Sequence, residues 1–206
     1  MKFKTVFSAT TVLFLFISFT SFGQVKVTYD HVENQELADY FTLEGIHYIK
    51  FSFTDKELEN KTYQFSVKEI WDGEIKKESV IVNSRAIGDT ILNIRVIAKF
   101  AEDNKLRMDF HFPTHVTQRS FEATSSTFKG LTNNYVLRSV LDSKTVETGK
   151  KFYLFVNMLP YEVNIEGVGI MQKYCAVIDS GKEIDTWGRE FGIKHYLVFE
   201  MIFNSL

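Results

Sequence analysis

The sequence predicts a mainly β protein: a single antiparallel β-sandwich with a short C-terminal helical pair before the last strand. Three observations carry that expectation. Apolar and polar residues alternate with period two over most of the chain, as in Ile193, His195, Leu197, Phe199, Met201 and Phe203. The dipeptide Asp72-Gly73 separates two such runs, the signature of a tight hairpin turn with positive φ. No repeat, low-complexity tract or Pro/Ser-rich linker divides residues 24–206. A closed, lipocalin-like β-barrel is the alternative, since strand runs alone do not say whether a sheet closes on itself.

Taken in order, the chain opens with MKFKTVFSATTVLFLFISFTSFGQ. Lys2 and Lys4 precede an apolar stretch, and Ser21 and Gly23 place small residues at −3 and −1. Residues 1–23 therefore read as a secretory signal peptide cleaved before Gln24, which predicts an exported protein, periplasmic or extracellular. Phe41, Leu43, Gly45, His47, Ile49, Phe51 and Phe53 alternate as one strand, and a polar turn from Asp55 to Lys61 follows. Residues 62–71 and 74–82 form the Asp-Gly hairpin. A second hairpin pairs 90–100 with 106–112, and Pro113, which has no N–H to donate, ends it. Strands are expected near 115–122, 135–141 and 151–159. The period then changes: Ile170, Met171, Tyr174, Cys175 and Ile178 are spaced as on a helix, and a second short helix is expected over 183–191. The last strand is long and strongly alternating, which predicts that it pairs inside a sheet.

The formal net charge of the whole chain is −2 and becomes more negative once Lys2 and Lys4 are removed. That leaves no basic field for nucleic acid. No apolar run after the leader is long enough to span a bilayer. Cys175 is the only cysteine, so no internal disulfide can form and the core holds the fold unaided. Charged residues interrupt nearly every strand, as in Glu74, Lys76 and Glu78, which argues against a lipid-facing barrel. The sequence holds no nucleotide-binding loop, nucleophile elbow, CxxC pair or calcium loop, and calls for no cofactor.

Three sets of residues carry candidate chemistry. In IDTWGREFGIKHYLVF, residues 184–199, an acid/base pairing of Glu190 with His195 competes with a purely architectural reading, in which Asp185 and Arg189 pair across one helical turn. Asp109 and His111 share one face of a strand and His115 follows Pro113, an Asp-plus-two-His set of the kind that binds zinc or iron, though without a recognised spacing. Trp71, at a hairpin end, and Tyr48, on the face opposite Phe51 and Phe53, are candidate ligand-binding aromatics.

Tyr174-Cys175-Ala176, Thr186-Trp187-Gly188 and Phe191-Gly192-Ile193-Lys194-His195-Tyr196, with Leu43-Glu44-Gly45-Ile46-His47 and the FGQ end of the leader, together resemble a family of secreted, β-rich proteins of Gram-negative bacteria defined as a domain of unknown function. The resemblance implies export and a single domain, and brings no activity or catalytic residue. The function expected from all of this is a secreted or periplasmic, non-enzymatic binding domain that recognises a glycan, a peptide or an envelope partner. A carrier of lipid or another small hydrophobic ligand is the alternative, and a metal-dependent or acid/base hydrolase the second alternative.

Overall fold

The computed structural model describes residues 23–84, 86–101, 103–128, 131–133, 135–141, 143–173 and 180–206. Residues 1–22 of the expected leader and Cys175 lie outside the described residues. Fifteen strands are described: β1 Gln24–Asp30, β2 Ile46–Thr54, β3 Lys61–Trp71, β4 Glu74–Asn83, β5 Ile91–Ala101, β6 Lys105–His111, β7 Val116–Glu122, β8 Ser126–Phe128, β9 Leu131–Asn133, β10 Val136–Ser139, β11 Thr145–Glu147, β12 Phe152–Met158, β13 Tyr161–Ile165, β14 Gly169–Lys173 and β15 His195–Ser205. Helices α1, Gln35–Leu43, and α2, Trp187–Phe191, are added to these.

The strands form two open antiparallel sheets, which makes the fold a sandwich and not a closed barrel. One sheet has six strands in the order β11-β1-β2-β5-β6-β7, and the other five in the order β10-β12-β15-β3-β4. Two small hairpins, β8-β9 and β13-β14, complete the pattern. Period-two alternation sends Ile49, Phe51 and Phe53 from the first sheet toward Phe65, Phe155, Phe199 and Phe203 from the second. Their rings fill the space between: Phe155 stacks on Phe199 at 4.3 Å and on Phe51 at 5.7 Å, and Phe53 meets Phe203 edge-on at 5.3 Å. Burying such side chains is worth roughly 1.5–3 kcal/mol each, enough to hold a domain that has no disulfide.

The last strand lies inside its sheet as expected, with β12 on one side and β3 on the other. The Asp72-Gly73 turn is also present, with φ of 50° and 79°. A second, smaller core covers the outer face of the five-stranded sheet, where Trp187 and Ile193 pack on Ile70, Val156 and Val198.

Two elements differ from the sequence reading. Phe41 and Leu43 belong to α1, not to a strand running on through Gly45. The Asn34 side chain accepts the Leu37 N–H at 2.9 Å and caps the helix, and Gly45 at φ 62° turns the chain into β2. In the expected helix over 170–178, Gly169–Lys173 is instead β14, paired with β13 across a turn whose Gly167 and Gly169 have φ of 77° and 90°; the rest of that span lies outside the described residues. Of the expected helical pair, the second member is present before the last strand, as a 3-10 turn, Ile184–Thr186, running into α2.

Candidate functional site

The run IDTWGREFGIKHYLVF resolves into architecture. Trp187 is fully buried and its Nε1–H donates to the Lys182 carbonyl at 3.2 Å. The Tyr196 hydroxyl accepts the Gly188 N–H at 3.2 Å and donates to the Ile184 carbonyl at 2.9 Å, which fixes the start of α2. Asp185 pairs not with Arg189 but with Lys68 of β3, at 2.7 Å. Gly192, at φ 66°, ends the helix in the left-handed conformation and returns the chain to β15.

Glu190 and His195 do not form an acid/base pair. Glu190 is exposed and pairs with Lys182 at 3.3 Å, whereas His195 is fully buried. The His195 ring stacks on Trp71, its cross-strand partner, with centroids 3.8 Å apart, and its Nδ1 meets the Tyr135 hydroxyl. That hydroxyl also accepts the Thr124 N–H at 3.2 Å, so its own proton is free to donate to Nδ1. Burial lowers the His195 pKa to about 3 and raises that of Tyr135, so both groups are neutral at physiological pH.

Trp71 therefore offers at most one ring face. Its hairpin tip is also occupied: the Asp72 N–H donates to the Lys194 carbonyl at 2.8 Å, and Gly73 packs directly against Gly188 of α2. Trp71 is half-buried, with one ring face on His195 of β15.

The metal set is not assembled. Asp109 and His111 share the outer face of the six-stranded sheet, but the His115 ring stacks on Phe112 at 5.0 Å and its Nδ1 lies 3.1 Å from the Thr114 hydroxyl. His115 lines a different cleft, of about 670 Å³, with Tyr63 and Ile87. Among the described residues no group of three or more His, Cys, Asp or Glu is placed to hold a metal ion.

Tyr48 and His111, proposed from sequence for unrelated reasons, line the same groove. Its volume is about 630 Å³, and Lys50, Asn93 and Arg95 contribute to it. Sheet register explains the convergence. Lys50, Arg95 and His111 are successive cross-strand partners on β2, β5 and β6, and Tyr48, Ile97 and Asp109 form the next row. Asp30 stands opposite Lys50 on β1. The Ser52 hydroxyl donates to Asn93 at 2.7 Å. Lys50 and Arg95 make no ion pair among the described residues, whereas Lys99 and Arg107 on the same face are paired with Glu44 and Asp103 at 3.0 Å each. No protein group among the described residues bonds to the buried Nε2 of His111. Tyr48 is half-buried and packs beside Phe41 of α1, ring centroids 6.3 Å apart.

The sequence reading missed a buried charge network on the outer face of the other sheet. Lys68 lies 2.7 Å from both Asp185 and Glu200, and Lys151 approaches Glu200 at 3.0 Å. Burial alone would lower the Lys68 pKa, but the hydrogen bonds it donates to Asp185 and Glu200, with their negative charge, outweigh it and hold the ammonium above its ordinary value. The signal was Lys68 and Glu200 within apolar strand runs, opposite in charge but far apart in sequence.

Compared with protein-family models, with curated proteins and with solved structures, the chain matches none.

Proposed function

We propose that the mature chain is an exported, non-enzymatic recognition domain that holds a glycan against the outer face of the six-stranded sheet. The observation that carries this reading is the groove where Tyr48 borders the row Lys50–Arg95–His111. A sugar presents an apolar ring face and a rim of hydroxyls that both donate and accept. Tyr48 supplies a stacking surface, Lys50 and Arg95 supply donors not engaged in ion pairs among the described residues, and Asp89 and Asn93 supply acceptors.

A glycan is favoured over a peptide by the position of these groups. Strands β2 and β5 lie inside the sheet, so their backbone hydrogen bonds are already made, and side chains alone are offered. A peptide that adds a strand needs an open edge such as β4 or β7. A carrier function finds no support in an interior packed with phenylalanine rings, and a hydrolase finds none in a buried His195 and a dispersed Asp109, His111 and His115.

Affinity electrophoresis through gels containing individual polysaccharides tests the reading. Retardation by at least one glycan is expected, lost in Tyr48→Ala and weakened in Arg95→Ala, with Trp71→Phe retarded like the parent. Retardation that survives Tyr48→Ala, or none with any acidic, neutral or amino-sugar polymer, would overturn it.

A further inference from the structure

β11 and β10 are edge strands of the two sheets, and residues just after β10, in β11 and at the start of β12 line one common space. A cavity of about 560 Å³ lies there, within the range that small-molecule sites occupy. One side is made by Val140, Leu141, Val146 and Tyr153, and the other by the segment from Gly181 to Ile184, with Trp187 at its floor. We propose that this cavity binds a small amphiphilic anion, with its apolar body on Val140, Leu141, Val146 and Ile184 and its head group between Lys150 and Lys182.

Two properties of the lining point there. The first is that the outer wall is fixed in place before any ligand arrives. Asp185 is tied to Lys68 at 2.7 Å, the Ile184 carbonyl to the Tyr196 hydroxyl at 2.9 Å, and the Lys182 carbonyl to the Trp187 indole at 3.2 Å. Three bonds from one short segment to the sheet and to its own helix keep the wall from collapsing onto the edge, and a preformed site spares a ligand the cost of ordering it. The second is the distribution of charge. Lys150, Lys151 and Lys182 line the cavity against Glu147 and Glu183. Lys151 is committed to Glu200, whose side chain is only 1% exposed. Lys150 and Lys182 are paired instead with Glu147 and Glu190, at 2.6 and 3.3 Å, and those carboxylates are 41% and 43% exposed. Exposed pairs of this kind are worth little and give way to a better-placed anion. A neutral apolar ligand would leave both ammonium groups with their present partners, and a cationic one would be repelled by them.

The site shares no residue with the groove around Tyr48, so it stands or falls independently of the glycan reading. Calorimetric titration of the purified protein with decanoate, decanol and decyltrimethylammonium, each below its micelle concentration, tests it. Decanoate is expected to bind once per chain and to shift the emission of Trp187 in a Trp71→Phe background. The double substitution Lys150→Glu, Lys182→Glu should weaken decanoate by about tenfold, the scale of one charge-assisted contact, and leave decanol unchanged. Should Trp71→Phe fail to fold, calorimetry on the parent and the double variant still decides the matter. Absence of saturable decanoate binding, equal affinity for decyltrimethylammonium, or undiminished decanoate affinity in the double variant would each overturn the proposal.

Discussion

Trp71 and His195 face each other across β3 and β15 with their rings 3.8 Å apart and nearly parallel. The pair joins the one hairpin tip that sequence identified most clearly to the one histidine that sequence left open between catalysis and architecture. Tyr135 closes the far side of the imidazole. Burial keeps that ring neutral.

The consequence is a pH dependence of stability with a defined sign. The folded pKa of His195 is depressed to about 3 by burial, against 6.5 for the unfolded chain, so the unfolded state binds the proton first as pH falls. The stabilisation is therefore complete above about pH 6.5 and is lost progressively between there and pH 3. His47, whose pKa is lowered by burial and by Arg138, adds a slope of the same sign. Urea midpoints measured from pH 7.5 to 4 should fall for the parent and fall less steeply for His195→Gln. Equal slopes would show that His195 protonates without cost in the fold.

Tyr135→Phe separates the hydroxyl from the ring. It leaves Nδ1 of His195 and the Thr124 N–H each without its present partner while preserving the aromatic contact with Phe100, whose ring lies at 6.0 Å. Orphaning buried polar groups costs about 1–3 kcal/mol. A midpoint shift of that size in chemical denaturation is expected, and no shift would mean that the hydroxyl contributes nothing.

What was legible in the sequence follows from the range of each signal. Asp72-Gly73 and the alternation from Ile193 to Phe203 are local, and they located the β3–β4 hairpin and a last strand paired on both sides. The same alternation misled at Phe41 and Leu43, because helix and strand periods coincide over so short a stretch and the Asn34 cap lies seven residues before Phe41. The helical spacing of Ile170, Met171, Tyr174, Cys175 and Ile178 misled at Ile170 and Met171, where Gly167 and Gly169 are what a hairpin turn demands. Lys68 with Glu200, and Tyr135 with His195, are pairings of residues 132 and 60 positions apart. Only the sheet topology brings them together, and no periodicity announces them. Tyr48 was legible as an outward aromatic, but its alignment with Lys50, Arg95 and His111 depends on the β2-β5-β6 register.

Gly188 tests the docking of α2 on the β3–β4 turn. A Cβ added there would meet the Gly73 Cα at 2.6 Å and its N at 2.7 Å, both backbone atoms that no rotamer change can move aside. Gly188→Ala should destabilise by about 1–3 kcal/mol, the usual range for overpacking, seen as a lower thermal midpoint. An unchanged midpoint would mean that the turn and helix separate without cost.

The Lys68 network makes the last prediction, and it turns on the difference between breaking a buried ion pair and replacing one. Lys68 is 11% exposed at its side chain and Glu200 is 1% exposed, and Asp185 is more open at 28%. Lys68→Ala leaves Glu200 buried with only Lys151 beside it, and frees Asp185 from the strand. Removing one partner of a buried pair costs about 3–5 kcal/mol. Lys68→Met combined with Glu200→Leu removes both charges together and refills the space between Ser66, Ile70 and Val198 with apolar volume, which is close to neutral in comparable cases. Lys151 can still pair with Glu78, 3.5 Å away, and Asp185 can turn to solvent. Denaturant midpoints for the single and double variants should therefore differ by several kcal/mol, with the double close to the parent. A double variant as unstable as the single one would show that the network stabilises the fold outright, through the tether from Asp185 to the wall above β12.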